Sequence, residues 1–159
     1  MSVLKKIRVV EFAEGVPGPL AALRLSDLGA DVIKVELPEG DWLRNAAPAL
    51  PGSEMSAAFF ELNRGKRAVV LDQTLTLSAL LKNADVFITD RTPEQLAALG
   101  VTGIDAEPYA ANPKLVRVCI SPWGDRGPLK NAKGSELAAQ AMAGYTRYLG
   151  SRDAPACRL

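Results

Sequence analysis

The chain has 159 residues, 48% of them hydrophobic and 23% charged, with a formal net charge of +1. That length suits one domain with a core of useful size, and the near-neutral balance argues against a nucleic-acid binder that works by phosphate attraction. There is no histidine, which removes His-based triads, His general bases and His metal ligands together.

The first predicted element is a buried strand over Ile7 to Phe12, where IRVVEF is short, β-branched and mostly apolar. A turn, EGVPGP, follows. Pro19 suits the first helical position, where a missing N–H costs nothing. Leu20, Leu23, Leu25 and Leu28 then line one side of a helix that ends at Gly29, a left-handed cap. DVIKVE, Asp31 to Glu36, is the second strand. Strand, turn, helix and strand within about 30 residues make a βαβ unit with parallel strands.

LPEGDWLRNAAPALPG (37–52) reads as a long loop of the kind that is often functional. Ser53 is placed as the cap of a helix running through Phe60 and Leu62. NRGKR (63–67) is a basic turn, Ala68 to Asp72 a third strand, Leu77 to Leu81 a helix, and Asp85 to Thr89 a fourth strand. Thr92-Pro93-Glu94-Gln95 opens the next helix with a capping box, and Gly100 ends it. A short helix is expected over 106–111, a fifth strand over Leu115 to Ser121, a second long loop at PWGDRGPLKNAK and a last helix over Ser135 to Tyr145. The alternation predicts an α/β fold: a Rossmann-like parallel sheet with helices on both faces. Ligands of such sheets lie outside the carboxyl ends of the strands. Here those ends carry EGVPGP, LPEGDW, the DQT segment, DRTPEQ and PWGDRGP.

Chemistry must come from carboxylates, hydroxyls, lysines, arginines, backbone groups or a bound cofactor. Two cysteines, Cys119 and Cys157, make neither a disulfide framework nor zinc-ligand spacing, so no metal is expected. Cys119 reads as a small buried hydrophobe and Cys157 as a free thiol. The opening MSVLKKIRVVEF turns charged and strand-like at once, unlike a signal peptide, and no apolar run approaches the roughly 18 residues of a membrane span. No membrane partner and a cytoplasmic, reducing location are the default.

The first turn lacks G-x-G-x-x-G, and no Walker pattern occurs. It reads either as a wall that aims free backbone N–H groups at the ligand edge or as a rigid corner. NRGKR is either solvated surface or a phosphate dock, and Asp125, Arg126, Lys130 and Lys133 invite the same two readings. Glu36 and Asp41 are acids near a strand end, with surface or acid/base work as the alternatives. Glu136 sits where a helix dipole favours a carboxylate. Trp42 and Trp123, in the two long loops, either pack or wall a pocket.

Five segments in order carry a resemblance: IRVVEFAEGVPGPLAALRLSDLGADVIKVELPEGDWLR, FFELNRGKRAVVLD, NADVFITDRTPEQLAALGV, NPKLVRVCISPWGDRGP and KGSELAAQAMAGYTRYLG. Together they resemble the N-terminal portion of the class III CoA-transferases, the family of formyl-CoA transferase and carnitine CoA-transferase, with α-methylacyl-CoA racemase as a relative. The resemblance implies that residues 1–159 are the N-terminal part of a large CoA-binding domain, without the small domain and C-terminal return. It implies coenzyme A or acyl-CoA as the substrate, no nucleic acid, and a homodimer or self-association in the complete protein.

By the same resemblance, Val16 and Pro17 lie near the thioester. Leu71, Asp72, Asp90, Arg91 and Thr92 line the nucleotide portion, and Lys133, Gly134, Ser135 and Glu136 form another contact stretch. The family's catalytic Asp is expected just past Arg158-Leu159, so no catalytic residue is assigned within the chain. Three departures stand out. Asp90-Arg91 replaces the family's common Asn-aromatic pair, Leu37-Pro38 stands where a basic residue often follows Glu36, and Ser135 occupies the position of the racemases' His. The alternatives are a non-catalytic CoA-binding or assembly module and an acyl-CoA racemase relative.

Overall fold

The first β-branched run and its four successors become strands, and the three central ones bury both faces of the sheet, while the two edge strands stay partly exposed. The computed structural model describes residues 2–72, 75–101, 109–124 and 126–148. The strands are β1 (Arg8–Phe12), β2 (Asp31–Glu36), β3 (Arg67–Val70), β4 (Val86–Thr89) and β5 (Val116–Cys119). All pair in parallel, in the order β3-β2-β1-β4-β5. The helices are α1 (Pro17–Asp27), α2 (Ala57–Asn63), α3 (Leu77–Leu81), α4 (Pro93–Ala98), α5 (Glu136–Met142) and α6 (Tyr145–Tyr148). The expected α/β fold with a Rossmann-like parallel sheet is therefore what forms. The chain divides after Ile120 into two compact units, and the sheet belongs to the first.

Alternation along β1 and β2 sorts the two cores. Val10, Phe12 and Val35 face one side, where Leu77 and Leu81 of α3, Leu96 of α4 and Phe87 of β4 complete a cluster. Val9, Val32 and Ile88 face the other, with Ala22 of α1. Register sets Glu11 beside Lys34 on the α1 face, two residues beyond the Val9–Val32 pair. The apolar half of that face thus gives way to charge toward the carboxyl ends.

Helix α1 starts two residues earlier than Pro19, at Pro17, and buries Gly18, Pro19, Ala22 and Leu23. The expected leucine stripe does not form: Leu23 is buried, but Leu20 and Leu28 are exposed. The helix lies too close to the sheet for large side chains throughout, and a Cβ on Gly18 would collide with the Ala13 Cβ. At the other end Gly29 (φ +94°) takes the left-handed cap. Its N–H donates to Ser26 O and that of Ala30 to Leu25 O, the paired bonds of a Schellman motif.

The cap of α2 is Ser56, not Ser53; its Oγ accepts the Phe59 N–H. The predicted capping box of α4 is present: Thr92 Oγ1 accepts the Gln95 N–H, and Gln95 Oε1 accepts the Thr92 N–H. The last predicted helix breaks at Gly144 (φ +79°) into α5 and α6. Most of the helix expected over 106–111 lies outside the described residues, and 109–111 form a turn. Cys119 is half-buried on β5, and Cys157 lies outside the described residues. Among the described residues no helix is long and apolar enough to cross a membrane.

Replacing the fully buried Phe87 by Ala should cost about 3–5 kcal/mol in urea unfolding, whereas Thr92→Ala, which removes one cap, should cost about 1 kcal/mol.

Candidate functional site at the carboxyl edge of the sheet

Every strand of a parallel sheet ends at the same edge. The chain passes from β1 to β2 on one side while the sheet continues to β4 on the other, so the loops after β1 and β4 flank the topological switch point. The loop after β1 is the Glu14–Val16 turn. Gly15 adopts φ +68°, and the Trp42 ring lies over it, with Cζ2 2.6 Å from where a Cβ would stand. Trp42 is nevertheless 61% exposed. One face packs on the turn while the rest is open, which joins the two readings given for it.

Two of the turn's backbone donors are already used. Glu14 N–H donates to Asp90 Oδ2 at 2.9 Å, and Gly15 N–H to Asp41 Oδ1 at 3.1 Å. Pro17 and Pro19 bring no N–H to the start of α1. The reading in which free N–H groups cradle an anion is therefore narrowed: the Glu14 and Gly15 amides are committed, and the corner offers shape and the exposed Val16 and Pro17.

Asp41 belongs to a buried ion network. Lys34 Nζ lies 3.1 Å from Glu11 Oε1 and 2.9 Å from Asp41 Oδ2, and it donates to Ala13 O at 2.9 Å. The Asp41 contact is an ion pair without hydrogen-bond alignment. Lys66 Nζ takes the other Glu11 oxygen at 2.7 Å and also donates to Pro19 O and Asn63 Oδ1. Its side chain is only 2% exposed, and burial pulls its pKa below the usual lysine range although Glu11 opposes the shift. Arg44 forks onto Glu36 at 2.8 and 2.7 Å, and Glu36 Oε2 also accepts the Asp41 N–H. Burial pushes the Glu36 pKa up, but Arg44, the Asp41 N–H and Lys34 together hold it below the usual carboxylate range. The Phe59 ring lies 4.1 Å from the Arg44 guanidinium and 5.8 Å from Lys34 Nζ, within cation–π range.

The surface reading of NRGKR holds for the exposed Arg64 and Arg67 and fails for Lys66. Arg64 binds Asp27 bidentately and Glu61, Lys66 is buried on Glu11, and Arg67 forks onto Asp31. Carboxylates hold all three cations, so the turn is not a ready phosphate dock. A hollow of about 240 Å³ lined by Arg8, Asp31 and Arg67 lies at the opposite, amino-terminal edge, where the Arg67–Asp31 pair already satisfies itself.

After β4, Asp90, Arg91 and Thr92 stand opposite the first turn. Desolvation raises the Asp90 pKa against the Glu14 N–H and Arg91, which lower it. Arg91 pairs with Glu14, and its guanidinium lies 4.8 Å from the Phe12 ring centroid. The Thr92 hydroxyl serves the α4 cap. Leu71 is 7% exposed and packs in the core, so its side chain is not a ligand wall. Asp72 Oδ1 accepts the Leu75 N–H, while Gln73 and Thr74 lie outside the described residues.

Lys133, Gly134, Ser135 and Glu136 belong to the second unit. Ser135 caps α5 through the Ala138 N–H, and Glu136 accepts a bond from Gln140. A Cβ on Gly134 would meet the Pro122 ring, with Trp123 Nε1 at 3.3 Å. Trp123 Nε1 is itself buried without a hydrogen-bond partner among the described residues. Asp125 lies outside them. No group of three or more His, Cys, Asp or Glu among the described residues could hold a metal ion.

Sequence reasoning missed Glu11 and Lys34, and took Lys66 only as part of the basic turn. The available signal was a charge inside each of two strands, and charges in a sheet covered on both faces must be paired.

Lys34→Met should destabilise by about 3–5 kcal/mol, because Glu11 and Asp41 stay buried without their shared cation. Arg67→Ala, at an exposed pair, should cost under about 1 kcal/mol; urea titrations of both test the contrast. A lowered Glu36 pKa means stability that is present above the unfolded pKa and lost as pH falls through the folded one. Arg44→Met should flatten that acid dependence in melts between pH 7 and pH 3.

The model of CoA-transferase family III matches residues 4–159. Succinate–glutarate CoA-transferase of Agrobacterium fabrum is 36% identical over 162 residues, which cover 94% of this chain and 40% of that protein. A probable fatty acyl-CoA transferase of Mycobacterium tuberculosis is 36% identical over 149 residues, covering 90% of this chain and 37% of that one. The orthorhombic crystal structure of the mycobacterial protein matches at TM-score 0.84 and 33% identity, over 98% of this chain and 44% of that one. A CAIB/BAIF family protein from Brucella suis matches at TM-score 0.87 and 32% identity, over 99% and 43%. The chain thus spans about 40% of the length of these relatives. With a matching family model over nearly its whole length and a parallel sheet shared with these structures, the chain belongs to CoA-transferase family III.

Proposed function

We propose that residues 1–159 supply the N-terminal, CoA-facing part of the large domain of an enzyme that moves CoA between carboxylic acids. The observation that carries this reading is the switch point of a family III sheet, where the β1 and β4 loops meet at one edge. Val16 and Pro17 are exposed there, beside the open face of Trp42. In this reading they abut the thioester end of coenzyme A or an acyl-CoA. Asp72, Asp90, Arg91 and Thr92 face the nucleotide portion, Leu71 contributes backbone alone, and Lys133 to Glu136 add a further stretch.

The transfer itself needs a carboxylate to attack the thioester carbonyl. Glu11, Glu36 and Asp41 are poor candidates because each is buried against a cation. Asp90 is held by the Glu14 N–H. In this reading, as the family resemblance implies, the nucleophile is the Asp expected past Leu159, and the chain contributes binding surface. The same commitment of Glu11, Glu36 and Asp41, the buried acids among the described residues, favours, as a second reading, a CoA-binding module without turnover. Association of copies in the complete protein and a cytoplasmic setting belong to the proposal as well.

Calorimetry with CoA should give saturable heat, and incubation with an acyl-CoA and an acceptor acid should give no CoA exchange by chromatography. Absence of heat at millimolar CoA would overturn the binding role. Exchange catalysed by the chain alone would place a nucleophile inside it.

A further inference from the structure

Glu14 and Arg91 each stand two residues past a register pair of β1 and β4, Phe12 with Thr89, so their ion pair bridges the switch-point crevice. The two partners are not equally fixed. Arg91 is 14% exposed, stacks on Phe12, and anchors its backbone N–H on Thr89 Oγ1 at 3.1 Å. The Glu14 main chain is tied to Asp90, but its 22% exposed side chain is held by one contact, from Oε1 to an Arg91 terminal nitrogen.

That contact uses half of the guanidinium fork. Arg91 Nε is buried without a hydrogen-bond partner among the described residues; the nearest carboxylate oxygen recorded for it, Asp90 Oδ1 at 3.7 Å, is likewise without one. Arginine normally recognises carboxylate and phosphate with two parallel bonds. A one-pronged internal carboxylate beside an unsatisfied Nε leaves part of the fork without a hydrogen-bonded anion.

We propose that Glu14 is an internal competitor for an anion-binding site at Arg91: a phosphoryl group of the ligand displaces the Glu14 carboxylate and takes the guanidinium fork. This rests on the reading above for the source of the phosphoryl group, the diphosphate or phosphate of CoA, but not for the exchange itself. Glu14 sets affinity by opposing the ligand twice, as an occupant of the fork and as a like charge beside it. No covalent step is involved.

Glu14→Gln in the full 159-residue chain removes the competing charge and keeps the shape. Calorimetry at low salt should show CoA and inorganic pyrophosphate binding about fivefold tighter or more, the scale of ordinary coupling between sites. The gain should shrink as salt is raised. Glu14→Gln combined with Arg91→Met should bind no tighter than Arg91→Met alone. Measurable CoA binding with no tightening of either CoA or pyrophosphate in Glu14→Gln would overturn the competitor role and leave the CoA reading standing. Arg91-dependent tightening with pyrophosphate, but none with CoA, would support the competitor and count against the CoA reading. Failure of both proteins to bind either probe would overturn both. If Glu14→Gln does not fold, Glu14→Ser is the second variant; unfolding of both would make Glu14 a staple between loops and end the proposal.

Discussion

Lys34 is the pivot of the first unit. Its ammonium, on the central-side strand β2, is shared by a carboxylate from β1 and one from the loop after β2, and it also caps the Ala13 carbonyl. Lys66 and Arg44 extend the set to three cations against three carboxylates, Glu11, Asp41 and Glu36. A neutral set is what burial demands, since an unpaired charge in this interior would cost several kcal/mol. Replacement of such a network by packed apolar residues is often tolerated in stability. Its consequence here is positional: it fixes where the first turn and the Trp42 segment stand relative to the sheet edge.

The chain of restraint is short. Lys34 holds Asp41, Asp41 holds the Gly15 N–H and the Leu43 N–H, and the loop carries Trp42 onto Gly15. From the β4 side, Asp90 holds the Glu14 N–H. Two carboxylates, each at the end of a different strand connection, thereby clamp consecutive amides of the turn. A ligand approaching this edge meets a preformed surface rather than a loop that must be ordered on binding, which lowers the entropic cost of association. It also meets few free backbone donors, so recognition of an anion falls to side chains such as Arg91.

Much of this was legible in the sequence, and the reasons divide cleanly. Asp31–Glu36 and Leu77–Leu81 emerge with the expected bounds, and the Thr92–Gln95 capping box forms as its spacing dictates, because these are local signals. The parallel five-stranded sheet follows from alternation of elements, while the order of its strands is a finding of the structure. What local patterns do not contain is the depth of a helix over a sheet. Close approach of α1 selects Gly18, Pro19 and Ala22 for its buried face and leaves Leu20 and Leu28 outside. Nor do they contain pairing at a distance: Lys66 meets Glu11 across 55 residues and Arg91 meets Glu14 across 77. A basic turn and a strand acid each look like surface until the fold brings them together. Leu71 likewise turns its side chain into the core just past the end of the edge strand, which a local pattern does not show.

The central claim is that buried carboxylates hold the first turn rigid at the switch point. Amide hydrogen exchange at Glu14 and Gly15 reads this directly, since both N–H groups belong to a turn yet donate to Asp90 and Asp41. The account predicts protection comparable to the amides of β1 and β2, opening only with the unfolding of the sheet. Exchange of both amides at the rate of an exposed loop, while β1 and β2 remain protected, would contradict it.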